Sequence, residues 1–143
     1  MARYVTTIES SLSPAEAFAY MADFSNARHW DPSVEAASRA GNGPLGTGSA
    51  FDLVVTFGGR KLALRYTIVA FDEPRSFVVE ATQPTFVSRD EVTVAQSGAG
   101  STVHYDAALN FKGPGRLLDP LMQLLFNRTG AKAAAGMRAA LNP

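Results

Sequence analysis

Two rhythms of apolar and polar positions follow one another along the chain. Arg3 to Ser11 alternates Tyr4, Thr6 and Ile8 with Val5 and Thr7, a β-prone pattern that predicts a short first strand. Ser13-Pro14-Ala15-Glu16 then places a hydroxyl at an N-cap, a proline at the first helical position and a glutamate at the third. Ala17, Phe18, Tyr20 and Met21 keep helical spacing behind it, so a short helix begins here. Asp23 is placed to cap a second helical turn. Trp30-Asp31-Pro32 ends that turn, because a residue before proline avoids the helical region.

From Val34 onward the pattern has period two. Ser49 to Phe57, Lys61 to Phe71, Ser76 to Thr82, Thr85 to Gln96 and Ser101 to Lys112 read as strands. Between them lie Gly58-Gly59, Asp72-Glu73-Pro74-Arg75, Gln83-Pro84 and Ser97-Gly98-Ala99-Gly100, all turn chemistry. Such connections are too short for crossover helices, so the sheet is predicted to be antiparallel. After Gly113-Pro114-Gly115, the segment Arg116 to Leu141 would extend roughly 39 Å as one helix. Its start falls between Leu117 and Pro120, since proline is tolerated only in the first turn.

A helical wheel places Leu118, Leu121, Met122, Leu125, Thr129, Lys132, Ala133, Gly136 and Ala140 on the inward arc of this last helix. The first half of that arc is bulky and the second nearly bare. One end is therefore expected to fill space, while the other either lets the sheet approach closely or leaves a void. On the strands, alternation turns Phe51, Leu53, Val55 and Phe57 inward, together with Leu62, Leu64, Tyr66 and Ile68. Phe77, Val79 and Ala81 share that face with Val103, Tyr105, Ala107, Leu109 and Phe111. Val92 and Val94 choose the phase of the longest strand that also turns Phe86, Ser88 and Asp90 inward, whereas a single bulge within residues 85–96 would exchange Asp90 for Arg89 or Glu91. Asp90 is the odd residue: a carboxylate on an apolar face.

Composition narrows the chemistry. At 143 residues, 46% apolar, the chain is the size of one domain, 1–143, with no need of a disulfide or metal to hold it together. Thirteen basic residues balance thirteen acidic ones, which removes the positive field that phosphate-backbone binding requires, so no nucleic-acid partner is expected. No cysteine and only two histidines exclude thiolate chemistry and a three-histidine metal site, and no cofactor is expected. No apolar run is long enough to insert stably in a membrane and no leader pattern opens the chain, so a cytoplasmic location is expected. Monomer and homodimer both fit. Neither a glycine-rich phosphate loop opening a helix nor a Gly-x-Ser-x-Gly elbow is found.

Ser13 to Asn26, Trp30-Asp31-Pro32, Gly98-Ala99-Gly100-Ser101-Thr102-Val103-His104-Tyr105 and Leu118-Asp119-Pro120-Leu121 together resemble the START/Bet v1-like superfamily (SRPBCC). Within it, the likeness is to proteins labelled polyketide cyclase/dehydrase and lipid transport. The resemblance spans essentially the whole chain and implies an α+β helix-grip fold. In that fold a seven-stranded curved antiparallel sheet wraps a long C-terminal helix, with two short helices between strands one and two. It also implies a deep cavity between sheet and helix, used by relatives to hold lipids, sterols or polyketides.

Combining that cavity with the inward positions above, the residues expected to touch a small hydrophobic ligand are Trp30, Phe51, Leu53, Tyr66 and Phe77. Phe86, Val92, Tyr105, Leu121, Leu125 and Lys132 complete the set. Three functions then fit. The first is a binding module whose tyrosines or Asp90 fix the polar end of an apolar ligand. The second is a cofactor-free aromatase/cyclase or dehydratase, with Asp90 as the catalytic base and Tyr105 as proton donor or enolate stabiliser. An Asp90 pKa shifted toward neutrality with a tyrosine hydroxyl within about 3.2 Å would favour it. The third is a protein-interaction module, which predicts a cavity below about 300 Å³.

Overall fold

The capping box forms at Ser13. Its Oγ accepts from the Glu16 backbone N–H at 3.2 Å, and the Glu16 carboxylate accepts from the Ser13 N–H at 3.2 Å. Helix α1 (Pro14–Ala22) therefore starts with its first donors satisfied. Asp23 caps a single 3-10 turn, Phe24–Asn26, and α2 (Ala27–Trp30) runs directly from it to Asp31. The computed structural model describes residues 1–143 and places this helical segment between strands β1 (Ala2–Ser10) and β2 (Val34–Ala40). Then follow β3 (Ala50–Phe57), β4 (Arg60–Asp72), β5 (Ser76–Thr82), β6 (Phe86–Ser97) and β7 (Gly100–Phe111). A 3-10 segment, Gly113–Leu118, leads into the long helix α3 (Asp119–Ala140).

All seven strands pair antiparallel in the order β1-β7-β6-β5-β4-β3-β2. Because β1 lies beside β7 and not β2, the α1–α2 segment has to carry the chain from one sheet edge to the other, across one end of the inner face. The β3–β4 hairpin turns on Gly58 and Gly59, at φ 60° and 79°, the left-handed pair that matches strand twist in a two-residue loop. Two register shifts interrupt the period-two pattern, one between Val34 and Ala36 and one between Ile68 and Ala70. The second brings Phe71 to the inner side, where its ring meets Phe18 at 5.3 Å.

The inner face is filled unevenly. Under α1 the core is solid: Phe18 packs edge-on against Phe71 and Phe77, the latter at 5.6 Å, with Ile8, Met21, Ile68, Val79, Val92 and Val103 fully buried around them. The C-terminal half of α3 also packs closely. A Cβ on Gly130 would overlap the Tyr4 ring, and one on Gly136 would overlap the Trp30 carbonyl. Of the two outcomes left open for the bare half of the helix, close approach is realised at Gly130 and Gly136, while the void runs along the helix from Leu118 to Met137.

Those contacts set the rotation of α3 and correct the expected inward arc. Leu118, Met122, Phe126, Thr129, Gly130, Ala133 and Met137 face the sheet. Leu121 is 53% exposed and Lys132 is exposed, while Leu125 is displaced toward the β3–β4 hairpin, near Gly58. Close backbone approach at glycine outweighs the bulk of the leucines in choosing the face. No helix is long and apolar enough to cross a membrane.

Candidate functional site

Between α3 and the inner ends of β3, β4, β6 and β7 lies a cavity of about 530 Å³. Leu53, Val55 and Phe57 from β3 form one wall, and Leu62, Leu64 and Tyr66 from β4 extend it. Phe86, Ser88 and Asp90 from β6 and Tyr105, Ala107 and Leu109 from β7 form the floor. Phe126 of α3 closes the side by meeting Phe57 edge-on at 6.2 Å. Exposed residues Gly58, Arg60, Thr85 and Leu118 make the rim. Two-residue alternation explains why each strand contributes every second side chain.

Polar groups gather at the inner end. Ser88 and Asp90 sit two residues apart on β6 and so share a face. The Tyr105 hydroxyl donates to Asp90 Oδ2 at 2.5 Å, and the Tyr66 hydroxyl shares a hydrogen bond of 2.8 Å with Ser88 Oγ. Asp31, just past α2, accepts from the Ser33 N–H at 2.9 Å and from its hydroxyl at 2.7 Å, both through Oδ1. Trp30 packs edge-on to Tyr105 at 5.5 Å, and its buried Nε1 has no hydrogen-bond partner.

Burial dominates the electrostatics here. It pushes the Asp90 carboxyl up to about 7; the Tyr105 hydroxyl pulls the other way, and the charges of Asp31 and Asp106 push further up. Burial likewise raises Asp31, against the lowering by its Ser33 hydrogen bonds. The hydroxyls of Tyr66 and Tyr105 are pushed up by burial and by the Asp90 charge, so both remain protonated at neutral pH. The result is an apolar chamber with hydroxyl donors and two carboxylates at one end, suited to fixing one polar terminus of an otherwise hydrophobic molecule.

The family described as polyketide cyclase / dehydrase and lipid transport matches residues 1–142. The chain belongs to this family. Solved structures repeat the architecture of this family member. A START superfamily protein from Mycobacterium smegmatis superposes with a TM-score of 0.80 at 16% identity, covering 99% of this chain and 97% of that one. The protein TTHA0849 from Thermus thermophilus gives 0.77 at 16% identity, covering 98% and 95%. The Zhui aromatase/cyclase from a Streptomyces species gives 0.77 at 11% identity, covering 97% and 92%. At such identities the likeness shows the fold, the seven-stranded curved sheet gripping a long C-terminal helix. No curated protein matches the chain in sequence.

Of the residues singled out from sequence, this family member places Trp30, Leu53, Tyr66, Phe86, Asp90 and Tyr105 on the cavity wall. Phe51, Phe77 and Val92 face inward as alternation predicts, yet they lie outside the cavity wall. Phe51 packs beneath Phe24 at 6.4 Å, and Phe77 and Val92 are cross-strand neighbours in the solid region under α1. Leu121, Leu125 and Lys132 lie off the wall for the rotational reason given above. His104 sits on the outer face, its Nδ1 bonded to Thr7 Oγ1 at 2.9 Å, and His29 is exposed beside Arg28.

Phe24, Asp31, Phe126 and Met137 are among the wall residues that the sequence pattern does not place inward. Asp31 was legible only as a helix terminator before Pro32. Its Asp-Pro-Ser spacing is the pattern in which an aspartate folds back on the residue two positions on, and that turn is what brings its carboxylate to the cavity.

Proposed function

We propose that this protein binds a small, largely apolar ligand in the cavity between α3 and the sheet, with the ligand's polar end at Asp90, Tyr105, Tyr66 and Ser88. The observation that carries this reading is the cavity itself: about 530 Å³, mostly apolar, with its few polar groups converging at one end. A volume well above about 300 Å³ supports a ligand over a purely protein-docking role. Native mass spectrometry of protein purified from its own host is expected to show a retained small-molecule mass. Uptake of N-phenyl-1-naphthylamine, an uncharged fluorescent probe, is expected for the wild type and not for Ala107→Phe, which places a ring in the cavity. Equal uptake by both would refute the assignment of the site.

A second reading is favoured by one contact, the 2.5 Å hydrogen bond from Tyr105 to a carboxyl pushed up to about 7. A group titrating near the working pH is suited to proton transfer. In that reading the Asp90 carboxylate removes a proton from carbon beside a ligand carbonyl. The carbanion closes onto a second carbonyl of the same chain, forming the new carbon–carbon bond. Asp90 returns that proton to the alkoxide so formed, giving a β-hydroxy ketone; it then removes the remaining hydrogen of the attacking carbon and delivers it to the departing hydroxyl, so that water leaves and a carbon–carbon double bond forms. The aromatase/cyclase among the structural neighbours supports this reading by analogy of fold alone. Deuterium exchange at the central carbon of a β-diketone probe, followed by NMR, tests it: exchange should rise with pH around about 7 and vanish in Asp90→Asn.

A further inference from the structure

The inner end of the cavity has more negative charge than its protein partners answer. Asp90 spends Oδ2 on Tyr105, and Asp31 spends Oδ1 on Ser33; the other oxygen of each carboxylate takes no protein donor. No lysine, arginine or histidine forms an ion pair with Asp90 or Asp31. The single basic residue on the cavity wall is Arg60, exposed at the rim, six positions along β4 from Tyr66 and so about 20 Å from it at roughly 3.3 Å per strand residue. The ion pairs Arg3–Asp106, Arg65–Asp52 and Arg89–Glu80 lie elsewhere, outside the cavity wall.

Around the same end runs a band of aromatic rings. Tyr66 and Phe24 are 5.0 Å apart between centroids, Phe24 and Trp30 6.0 Å, Trp30 and Tyr105 5.5 Å. Ring faces attract a cation and offer nothing comparable to an anion. The single O–H of an alcohol could answer only one of the two free carboxylate oxygens, and an anionic terminus would add like charge. A protonated nitrogen answers both carboxylates at once.

Resting on the binding reading above, we propose that the polar end of the ligand is a cationic amine, seated between Asp90 and Asp31 within the ring band of Phe24, Trp30, Tyr66 and Tyr105. The ligand class is thus a hydrophobic amine, its apolar body lying under α3 toward the rim. The titratable and charged groups facing Asp90 are Tyr105 on β7, Tyr66 on β4 and Asp31 after α2, with Asp106 acting across the sheet. Tyr4 of β1 and Arg60 complete the titratable wall; α3 contributes no ionisable side chain to it. An ammonium here holds Asp90 ionised, which separates this reading from the proton-transfer one, where Asp90 must gain and lose a proton.

Displacement of N-phenyl-1-naphthylamine by decylamine, decanol and decanoic acid tests the proposal. Decylamine is expected to bind at least about tenfold more tightly than decanol at about pH 8, with decanoic acid weakest. Since decylamine stays protonated while Asp90 titrates at about 7, its affinity should fall about tenfold from about pH 8 to about pH 6, with that of decanol unchanged. Asp90→Asn and Asp31→Asn should each reduce the preference for the amine, and the wild-type pH series gives the same readout should either variant fail to fold. Equal binding of amine and alcohol, preference for the acid, or an amine preference untouched by pH and by both substitutions would overturn the proposal while leaving cavity binding intact. Failure of the naphthylamine probe and of all three decyl compounds to bind would overturn the binding reading itself.

Discussion

Replacing Asp90 by asparagine should change how the stability of this protein responds to pH, and the size of the change follows from burial. The Asp90 carboxyl titrates at about 7 when folded, against 3.8 for an ordinary aspartate. Between those values the folded protein holds a proton that the unfolded chain has released, so stability falls as pH rises, by about 1.4 kcal/mol per pH unit. The favourable contribution is complete below the unfolded pKa and gone above the folded one. From about pH 5 to about pH 8 the wild type should therefore lose roughly 2.5 kcal/mol through this group alone. Asparagine cannot ionise, keeps the shape and can still accept from Tyr105, so the variant lacks this loss. Asp31, raised in the same direction by burial, is present in both proteins. Urea unfolding of the two proteins at matched pH values reads the difference directly: asparagine should gain on aspartate by roughly 2.5 kcal/mol over that interval. Parallel stability curves would refute the desolvation argument.

Three further outcomes are expected. Tyr105→Phe removes the hydrogen bond that favours the ionised carboxylate, so the Asp90 titration, followed by carbon-13 NMR of the carboxyl, should move above about 7. A downward move would show that the hydroxyl does not stabilise the charge. Gly136→Ala forces a methyl into the Trp30 carbonyl and should destabilise the fold by about 2–3 kcal/mol in urea unfolding, although alanine is the better helix former. Ser13→Ala deletes the side-chain half of the capping box and should cost about 1 kcal/mol by the same measurement, with the cavity and its probe binding unchanged.

Much of this architecture was legible in local sequence because local rules govern it. The capping box at Ser13, the hairpin at Gly58-Gly59 and the end of α2 before Pro32 each depend on a few neighbouring residues, and each forms as read. The phase of β6 followed from Val92 and Val94, because a side-chain period of two leaves only two choices and one buries the valines. That choice alone put Asp90, Ser88 and Phe86 on the inner face.

Alternation tells which face a side chain takes but not what lies above it. Phe51 and Leu53 are equivalent by that rule, yet one packs under Phe24 and the other lines the cavity, because α1 and α2 cover only one end of the sheet. The rotation of α3 was equally hidden. A wheel ranks arcs by bulk, whereas the observed face is chosen by how closely a backbone can approach at Gly130 and Gly136, a contact with Tyr4 and Trp30 more than a hundred residues away. The pairing of Asp31 with Asp90 in one chamber is of the same kind. Charges distant in sequence interact only once the sheet has brought their strands and turns together and burial has stripped away the water that would screen them.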